Sequence, residues 1–182
     1  MNKVRIVGGK WRGRLLAFPD HEGLRPTPDR VRETLFNWLG QDLTGLSCLD
    51  LFAGSGALGF EASSRGAARV VMIDNNRSVV SSLKNNRQML QADSAMEIVE
   101  ADAVKFVTSL SLTETRFDVI FADPPYRKGW LDKLETGLSQ LLDQEGSLYI
   151  ESEKKLDHYG PWHAVRHGRA GQVYYQLMQR EQ

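Results

Sequence analysis

Residues 49–59, LDLFAGSGALG, decide the fold expected for this chain of 182 residues. A short apolar run leads into Gly54, Gly56 and Gly59, which have the spacing G-x-G-x-x-G, and a helical pattern follows them. A strand, a glycine-rich turn and a helix in this order form the loop at which the backbone of a Rossmann-like sheet approaches a nucleotide. The stretch therefore predicts an α/β fold with a nucleotide site at this turn.

The rest of the chain repeats this alternation. Short apolar runs separated by helical patterns predict a parallel sheet whose two faces are covered by helices. The segment 162–179 differs, because two strand-like runs surround a turn that contains glycine and predict an antiparallel hairpin. We therefore expect a Rossmann-like sheet with a reversed last strand. The apolar runs lie at 47–52, 69–73, 97–100, 117–122 and 147–151, and the helical patterns lie at about 57–65, 76–90, 103–110 and 129–142.

A carboxylate at the end of the second apolar run indicates a nucleoside ligand. Asp74 follows the run at 69–73, where it can accept hydrogen bonds from both hydroxyls of a ribose. Together with the glycine loop, Asp74 predicts mononucleotide binding rather than a structural turn. Dinucleotides and S-adenosylmethionine both fit a glycine loop followed by such a carboxylate. The two ligands differ in charge, so the charged residues near the loop indicate which of them binds.

That charge favours S-adenosylmethionine. Asp50 lies just before the glycines, where it would repel the pyrophosphate of a dinucleotide and attract the sulfonium and ammonium groups of S-adenosylmethionine. Asp123 ends the fourth apolar run and adds negative charge to the same edge of the sheet. Asp102, just after the third run, has two compatible interpretations: it accepts a hydrogen bond from the adenine amino group, or it caps the helix that follows.

The fourth apolar run ends in Asp-Pro-Pro-Tyr, residues 123–126, at the edge where the reactive end of the cofactor would lie. The amino group of a nucleobase is a poor nucleophile because its lone pair is delocalised into the ring. Two acceptors that hold its N–H groups, the Asp123 carboxylate and the Pro124 carbonyl, can orient this lone pair. The two prolines stiffen the backbone, and Tyr126 offers a face on which an extruded base can stack. The corner therefore predicts methylation of a base amine.

The N-terminal segment is basic, although the whole chain has a formal net charge of zero. Residues 1–14 contain lysines, arginines and Trp11 but no acid. Basic groups neutralise phosphates and an aromatic ring can stack on a base, so this arm or hairpin predicts a contact with nucleic acid. A solvated pair of strands with ordinary surface charge is the alternative. A helix is predicted to follow over 27–39, with Thr27 as its cap.

Composition narrows the class of protein. Hydrophobic residues make up 41% and charged residues 25% of the chain, as in soluble globular proteins. No apolar run approaches the roughly 20 residues that span a bilayer, and the N-terminus does not resemble a signal peptide. Cys48 is the only cysteine, which suits the cytoplasm and predicts a small buried side chain. The four histidines lack the spacing of metal ligands, so no metal is expected.

The motifs DLFAGSGALGFEA, Asp74, Asp102 and DPPY resemble the class I S-adenosylmethionine-dependent amino methyltransferases over residues 47–151. With GGKWRGR and RPTPDRVRETLFNWL included, the chain resembles the bacterial enzymes that methylate N2 of a guanine in 16S ribosomal RNA. The resemblance implies a seven-stranded sheet, S-adenosylmethionine as cofactor, and 16S rRNA within the small ribosomal subunit or its assembly intermediate as partner. We expect a cytoplasmic monomer with an N-terminal arm and helix over 1–40 and a methyltransferase domain over 41–182.

Three groups of candidate site residues follow from these positions. The predicted catalytic residues are Asp123, Pro124 and Tyr126. The predicted cofactor-binding residues are Asp50, Phe52, Ala53, Gly54, Ser55, Gly56, Asp74, Asn75, Asp102 and Ala103, and the predicted RNA-binding residues are Lys10, Trp11, Arg12, Arg14 and Arg25.

Three other functions are compatible with parts of this pattern. DNA adenine-N6 methyltransferases share the D/N-PPY corner, but they usually carry a target-recognition domain for which 182 residues leave no room. A non-catalytic ribosome assembly factor would not need Asp50, Asp74 or DPPY. An NAD-dependent oxidoreductase is disfavoured by Asp50 and by a DPPY corner that has no role in hydride transfer. Titration with S-adenosylhomocysteine and with NADH would separate the last two from the methyltransferases.

Overall fold

The computed structural model describes residues 1–21, 23–92, 95–126 and 129–181. Helices and strands alternate through most of the chain, and three further strands follow the last helix and its strand. In chain order the elements are β1 (Asn2–Arg5), β2 (Leu15–Phe18), α1 (Asp29–Trp38), β3 (Ser47–Asp50), α2 (Ala57–Ser64), β4 (Arg69–Asp74), α3 (Arg77–Met89), β5 (Met96–Glu100), α4 (Ala103–Leu110), β6 (Phe117–Ala122), α5 (Trp130–Leu141), β7 (Leu142–Ser152), β8 (His158–Tyr159), β9 (Trp162–Ala170) and β10 (Val173–Arg180).

The main sheet has the order β5-β4-β3-β6-β7-β10-β9-β8. Strands β3 to β7 pair in parallel, and β10 lies antiparallel to both β7 and β9. The predicted Rossmann-like sheet with a reversed last strand is therefore confirmed. The short strand β8 was not predicted, because two residues are too few to show a period, and it extends the expected seven strands to eight within the described residues.

Alternate side chains of each central strand belong to two different cores. Cys48 and Met72 face the first core, together with α2 and α3. Their neighbours Leu49 and Ile73 face the second core, together with α4 and α5. Successive side chains of a strand point to opposite faces, so continuous apolar runs are what a sheet covered on both sides requires. Cys48 is fully buried, as expected.

The N-terminal segment forms the hairpin alternative rather than a mobile arm. Strands β1 and β2 pair antiparallel, and Val4, Ile6, Leu16 and Phe18 are buried in the first core. The loop between them is tied to the end of α2, since the Lys10 amide donates to the Ser64 carbonyl at 2.8 Å. The hairpin and α1 thus share one apolar core with the sheet, and the boundary at residue 40 stays a prediction.

The predicted helix cap at Thr27 is wrong. Helix α1 begins at Asp29, with Pro28 at the N-cap position and no side chain that caps it. The Thr27 hydroxyl instead donates to Glu151 Oε1 at 3.1 Å. Thr27 is buried, so its hydroxyl needs a partner inside the protein, and this carboxyl provides one.

A buried ion-pair cluster fastens α1, α2 and the hairpin together. Glu61 accepts hydrogen bonds from Arg32 Nη1 at 3.2 Å and from Arg65 Nε at 3.0 Å. The amide of Val7 donates to the same carboxylate at 2.9 Å. Arg32 also pairs with Asp29 at 2.5 Å. Both Glu61 and Arg32 are fully buried, and each has its charge balanced by partners in the chain.

Candidate active site

A cavity of about 780 Å³ lies at the carboxyl ends of the central parallel strands. Strand β3 has β4 on one side and β6 on the other, so the chain changes direction across the sheet at this point. Open α/β sheets bind their ligands at such a switch point. The polar residues that line the cavity include Arg25, Thr27, Asp50, Asp74, Asp123 and Glu151.

The glycine loop brings its backbone close to the cavity. Gly54 and Gly56 have φ values of 52° and 78°, which place both in the left-handed region that favours glycine. A Cβ atom on Gly59 would lie 2.4 Å from the Met72 sulfur, so only glycine lets α2 approach β4 this closely. The Gly59 amide donates to Asp50 Oδ2 at 3.1 Å. The loop therefore positions the Asp50 carboxyl as well as the start of α2.

Asp50 is a buried acid at the floor of the cavity. Its exposed fraction is 2%, and burial raises its pKa to about 7 against the stabilising backbone hydrogen bonds from Gly59 and Phe52. The charge of Asp74 raises the pKa further. A carboxylate in this environment is stabilised by an added positive charge.

Asp74 joins the glycine loop to the end of β4. Its Oδ2 accepts from the Gly54 amide at 3.0 Å, and its Oδ1 accepts from the Asn76 amide at 2.8 Å. Burial raises its pKa, although these backbone hydrogen bonds oppose the shift. Each carboxylate oxygen keeps further acceptor capacity for a ligand hydroxyl. Asp74 therefore has the surroundings that its predicted role requires.

Asp102 serves as the N-cap of α4. Its Oδ1 accepts from the Lys105 amide at 3.0 Å, which confirms the capping interpretation. Its acceptor role towards adenine stays a prediction, since Ala103 lines the cavity and Asp102 does not. All the predicted cofactor-binding residues except Gly56 and Asp102 line the cavity; those that do are Asp50, Phe52, Ala53, Gly54, Ser55, Asp74, Asn75 and Ala103.

The three predicted catalytic residues meet at one wall of the cavity. Asp123 continues β6, Pro124 is buried, and Tyr126 is 43% exposed. Burial raises the pKa of Tyr126 to about 12, with a contribution from the negative charges of Asp123 and Glu151. The tyrosine is therefore a neutral phenol at physiological pH, with a ring open to the solvent side of the cavity.

Sequence reasoning missed Glu151, which lies near the end of β7 beside Asp123. Its Oε1 accepts from the Tyr149 hydroxyl at 2.8 Å and from the Thr27 hydroxyl at 3.1 Å. The Asp123 carboxyl is hydrogen-bonded to it, and burial raises the pKa of both acids. The sequence held a signal for it, because Glu151 ends the apolar run at 147–151 just as Asp74 and Asp123 directly follow the runs at 69–73 and 117–122.

The predicted RNA-binding residues fall into two places. Arg25 is exposed and lines the cavity. Lys10, Arg12 and Arg14 are exposed on the hairpin loop, which contacts the far end of α2. That helix has eight residues, so the loop lies roughly 12 Å from the glycine turn along the helix axis. Trp11 is half-buried against the first core, and the Lys10 ammonium lies 4.4 Å from its ring centre.

The cavity fits a cationic nucleoside better than an anionic one. Asp50, Asp123 and Glu151 lie on its floor, and in the described part of the chain no lysine or arginine forms an ion pair with them. The Asp74 carboxylate stands beside the glycine turn, where a ribose is held in Rossmann-like sheets. The fold and the site together define the class of S-adenosylmethionine-dependent methyltransferases with a Rossmann-like sheet.

Comparison with known sequences identifies the family. The chain matches the family model described as conserved hypothetical protein 95 over residues 4–179. It is 45% identical to ribosomal RNA small subunit methyltransferase D of Escherichia coli (strain K12), over 98% of this chain and 91% of the relative. The protein of the same name from Haemophilus influenzae is 40% identical over 97% of this chain and 94% of its own length. The chain belongs to this family.

Solved structures agree with this result. The Escherichia coli protein yhhF, a candidate methyltransferase, superposes with a TM-score of 0.87 at 43% identity and covers 99% of both chains. The Haemophilus influenzae protein HI0767, a candidate methylase, gives a TM-score of 0.84 at 35% identity with full coverage of both chains. An RNA methyltransferase from Salinibacter ruber in complex with S-adenosylhomocysteine gives 0.66 at 19% identity over 87% of this chain and 95% of its own, and so shares the fold.

Proposed function

We propose that this protein transfers a methyl group from S-adenosylmethionine to the exocyclic N2 amine of a guanine in 16S ribosomal RNA. The observation that carries the proposal is the Asp-Pro-Pro-Tyr corner at the wall of an acidic nucleoside cavity. The choice of ribosomal RNA as substrate rests on the names of the relatives that are 40–45% identical over nearly the whole chain. The choice of guanine N2 rests on the family resemblance of the sequence.

The residues of the cavity hold the methyl donor through charge and hydrogen bonds. Asp74 accepts from the ribose hydroxyls, and Asp50 contributes negative charge opposite the cationic groups. When bound, S-adenosylmethionine supplies an electrophilic methyl carbon whose bond to sulfur breaks with both electrons left on sulfur. The glycine turn keeps side chains away from the nucleoside, so the backbone defines its position.

The corner after β6 orients the target amine. Asp123 and the Pro124 carbonyl accept its two N–H groups, which directs the nitrogen lone pair towards the methyl carbon. Tyr126, whose ring is 43% exposed, stacks on the extruded base. The amine loses its proton to solvent after the methyl group has moved, so no strong base is required.

The basic groups contact phosphates outside the cavity. Arg25 lies at the cavity itself, and Lys10, Arg12 and Arg14 extend the positive surface along the hairpin loop. A structured RNA within the small subunit or its assembly intermediate can contact both places at once, whereas a single nucleotide cannot. We expect a monomer that works in the cytoplasm.

Methylation of purified subunits tests the proposal. Small subunits from cells that lack this protein are incubated with the protein and a labelled methyl donor, and mass mapping locates the label. Label on N2 of one 16S guanine is expected. In a parallel reaction with DNA in place of the subunits, label on an adenine N6 would support the adenine methyltransferase alternative. No label in either reaction would support a non-catalytic factor.

Asp123→Ala provides the matched control for this assay. The variant loses an acceptor that matters most while the amine changes geometry, so its single-turnover rate should fall about a hundredfold while it still binds the cofactor. A variant that transfers methyl at the parent's rate would contradict the role of Asp123 in holding the amine.

A further inference from the structure

Asp123 and Glu151 form a pair at the ends of two neighbouring parallel strands. Ala122 of β6 stands opposite Ile150 of β7, so the residues that follow them meet at the floor of the cavity. Their carboxyl groups are hydrogen-bonded to each other. Two carboxyl groups can be hydrogen-bonded to each other only when one of them carries a proton, and burial of both acids opposes two negative charges side by side.

The far side of Glu151 is fixed by two hydroxyl donors. Tyr149 and Thr27 both donate to Oε1, at 2.8 Å and 3.1 Å. Glu151 itself is only 7% exposed, so these partners hold its carboxyl rigidly from β7 and from the segment before α1. Two donors on one oxygen stabilise the ionised form, which makes Glu151 the anionic member and leaves the shared proton with Asp123.

The surroundings of the pair oppose a second negative charge. Asp50 acts on Asp123 from β3, and burial raises the pKa of both members of the pair. No lysine or arginine among the described residues is ion-paired with either acid; Arg25 lies elsewhere on the cavity wall, and Arg32, which donates to the Thr27 carbonyl, is paired with Glu61 and Asp29. The titratable groups that interact with the pair are Asp50, Tyr126 and Tyr149. Beyond them, Asp74 acts on Asp50, Glu153 acts on Tyr126, and Tyr175 acts on Tyr149.

We propose, building on the proposed function, that Glu151 is a positioning residue for methyl transfer, which shares one proton with Asp123 and so holds Asp123 in place for the target amine. Glu151 engages one oxygen of Asp123 and leaves the other oxygen for the amine N–H. The proton stays within the pair, and the hydrogen bond that Asp123 donates to the anionic Glu151 polarises the free oxygen of Asp123, which makes that oxygen a better acceptor. Loss of the proton would put two negative charges side by side, and their repulsion would turn Asp123 away.

Glu151→Gln and Glu151→Ala separate this role from simple packing. Glutamine keeps the oxygen that accepts from Thr27 and Tyr149, and its amide donates permanently to Asp123. Alanine provides neither contact. We expect Glu151→Ala to slow single-turnover methyl transfer about tenfold or more, and we expect Glu151→Gln to restore most of that loss. Calorimetry with S-adenosylhomocysteine should give cofactor binding in both variants.

The pH profile supplies a readout that packing alone would not change. In the parent, the transfer rate should fall at high pH as the pair loses its shared proton, since the two carboxylates then repel each other. In Glu151→Gln this fall should be absent, because an amide does not titrate. Glu153→Gln is the matched control: it removes a carboxylate just beyond β7 and should keep the profile of the parent.

Two results would overturn the inference while leaving the proposed function intact. One is a Glu151→Gln enzyme as slow as Glu151→Ala, and the other is a Glu151→Gln profile that keeps the fall at high pH. If instead the parent does not methylate guanine N2, the proposed function fails, and infrared spectroscopy still tests the pair. The band of protonated carboxyl groups at neutral pH, to which Asp50 also contributes, should lose intensity in Glu151→Gln, and an unchanged spectrum would overturn the shared proton.

Discussion

Two groups of buried carboxylates in this protein differ in how their charge is balanced. Glu61 is fully buried and accepts from Arg32, Arg65 and the Val7 amide. Asp50, at 2% exposure, accepts from backbone amides, and the charges that act on it are those of other acids. Both groups are removed from water, yet among the described residues only the first forms ion pairs with arginine side chains.

The difference separates a structural site from a binding site. Burial of a charge is costly unless the charge is paired, and the Glu61 cluster is complete within the chain. The acids of the cavity instead have raised pKa values. A positively charged ligand would therefore stabilise their ionised forms. A cofactor with sulfonium and ammonium groups provides this positive charge. Each of the following experiments tests one side of this comparison.

The largest effect is expected when the paired group is disrupted. Glu61→Gln removes the buried carboxylate that pairs with both Arg32 and Arg65 and leaves Arg32 paired with Asp29, so the free energy of unfolding should fall by about 3–5 kcal/mol. Urea denaturation measures the change. Glu33→Gln, on the exposed side of α1, is the control and should change it by less than about 0.5 kcal/mol. Equal changes in the free energy of unfolding for both substitutions would show that the Glu61 cluster does not stabilise the packing of the hairpin on the core.

The unpaired group should make stability depend on pH. The pKa of Asp50 is raised from 3.8 to about 7 in the folded protein, so the folded state holds a proton that the unfolded state releases. The contribution of Asp50 to stability is therefore largest in acid and is lost as pH rises from about 4 to about 7, by up to about 4 kcal/mol. Unfolding of the parent and of Asp50→Asn at several pH values measures it, and the decline should be smaller in the variant, because Asp74, Asp123 and Glu151 still contribute to it. Parallel curves would contradict an uncompensated charge at Asp50.

Cofactor affinity should depend on Asp74. Asp74→Ala removes the acceptors for the ribose hydroxyls, each worth about 1.5–3 kcal/mol, so affinity for S-adenosylmethionine should fall at least about tenfold. Calorimetry decides, and an unchanged affinity would remove Asp74 from the site. Asp102→Ala serves as comparison: parent-like affinity would leave Asp102 as the cap of α4, while a matching loss would support its contact with adenine.

The stacking role of Tyr126 is tested by two substitutions. Tyr126→Ala removes the ring, worth about 1–3 kcal/mol, and should weaken capture of the target and slow transfer. Tyr126→Phe keeps the ring and should be mild, because the ring and not the hydroxyl provides the stacking surface. Single-turnover assays on small subunits measure both. Equal behaviour of the two variants would contradict stacking, while leaving the role of Asp123 untouched.

The smallest effect per substituted residue is expected for the exposed basic residues of the hairpin loop, and it concerns binding to the small subunit. Replacing Lys10, Arg12 and Arg14 with alanine should weaken subunit binding and flatten the log–log salt dependence by about 0.7–0.9 for each phosphate that is no longer bound. Cofactor affinity should stay unchanged, because the loop lies at the far end of α2 from the cavity. A triple variant with the salt slope of the parent would contradict direct binding of the loop to phosphates.

Local patterns were enough to predict the alternating sheet and most of the cavity. Residues 47–64 form a strand, a turn and a helix whose glycines and first carboxylate are close in sequence. Asp74 ends β4 and Asp123 directly follows β6, and these two strands flank β3 in the sheet. The strand order of this fold is constrained, so the sequence was enough to place both acids. The carboxyl ends of parallel strands lie at one edge of the sheet, so the predicted topology already brings the acids at these strand ends together.

Tertiary structure alone decided the contacts between distant segments. Thr27 and Glu151 are 124 positions apart, and Trp11 and Ser64 are 53 apart. No periodicity couples such positions, so the sequence predicted a helix cap at Thr27 and a base-stacking role for Trp11, and it did not select Glu151. Packing of α1 over the sheet places the Thr27 hydroxyl on Glu151, and packing of the hairpin on α2 buries part of Trp11. Long-range contacts depend on how whole elements bury their apolar faces, and that is fixed only when the chain has folded.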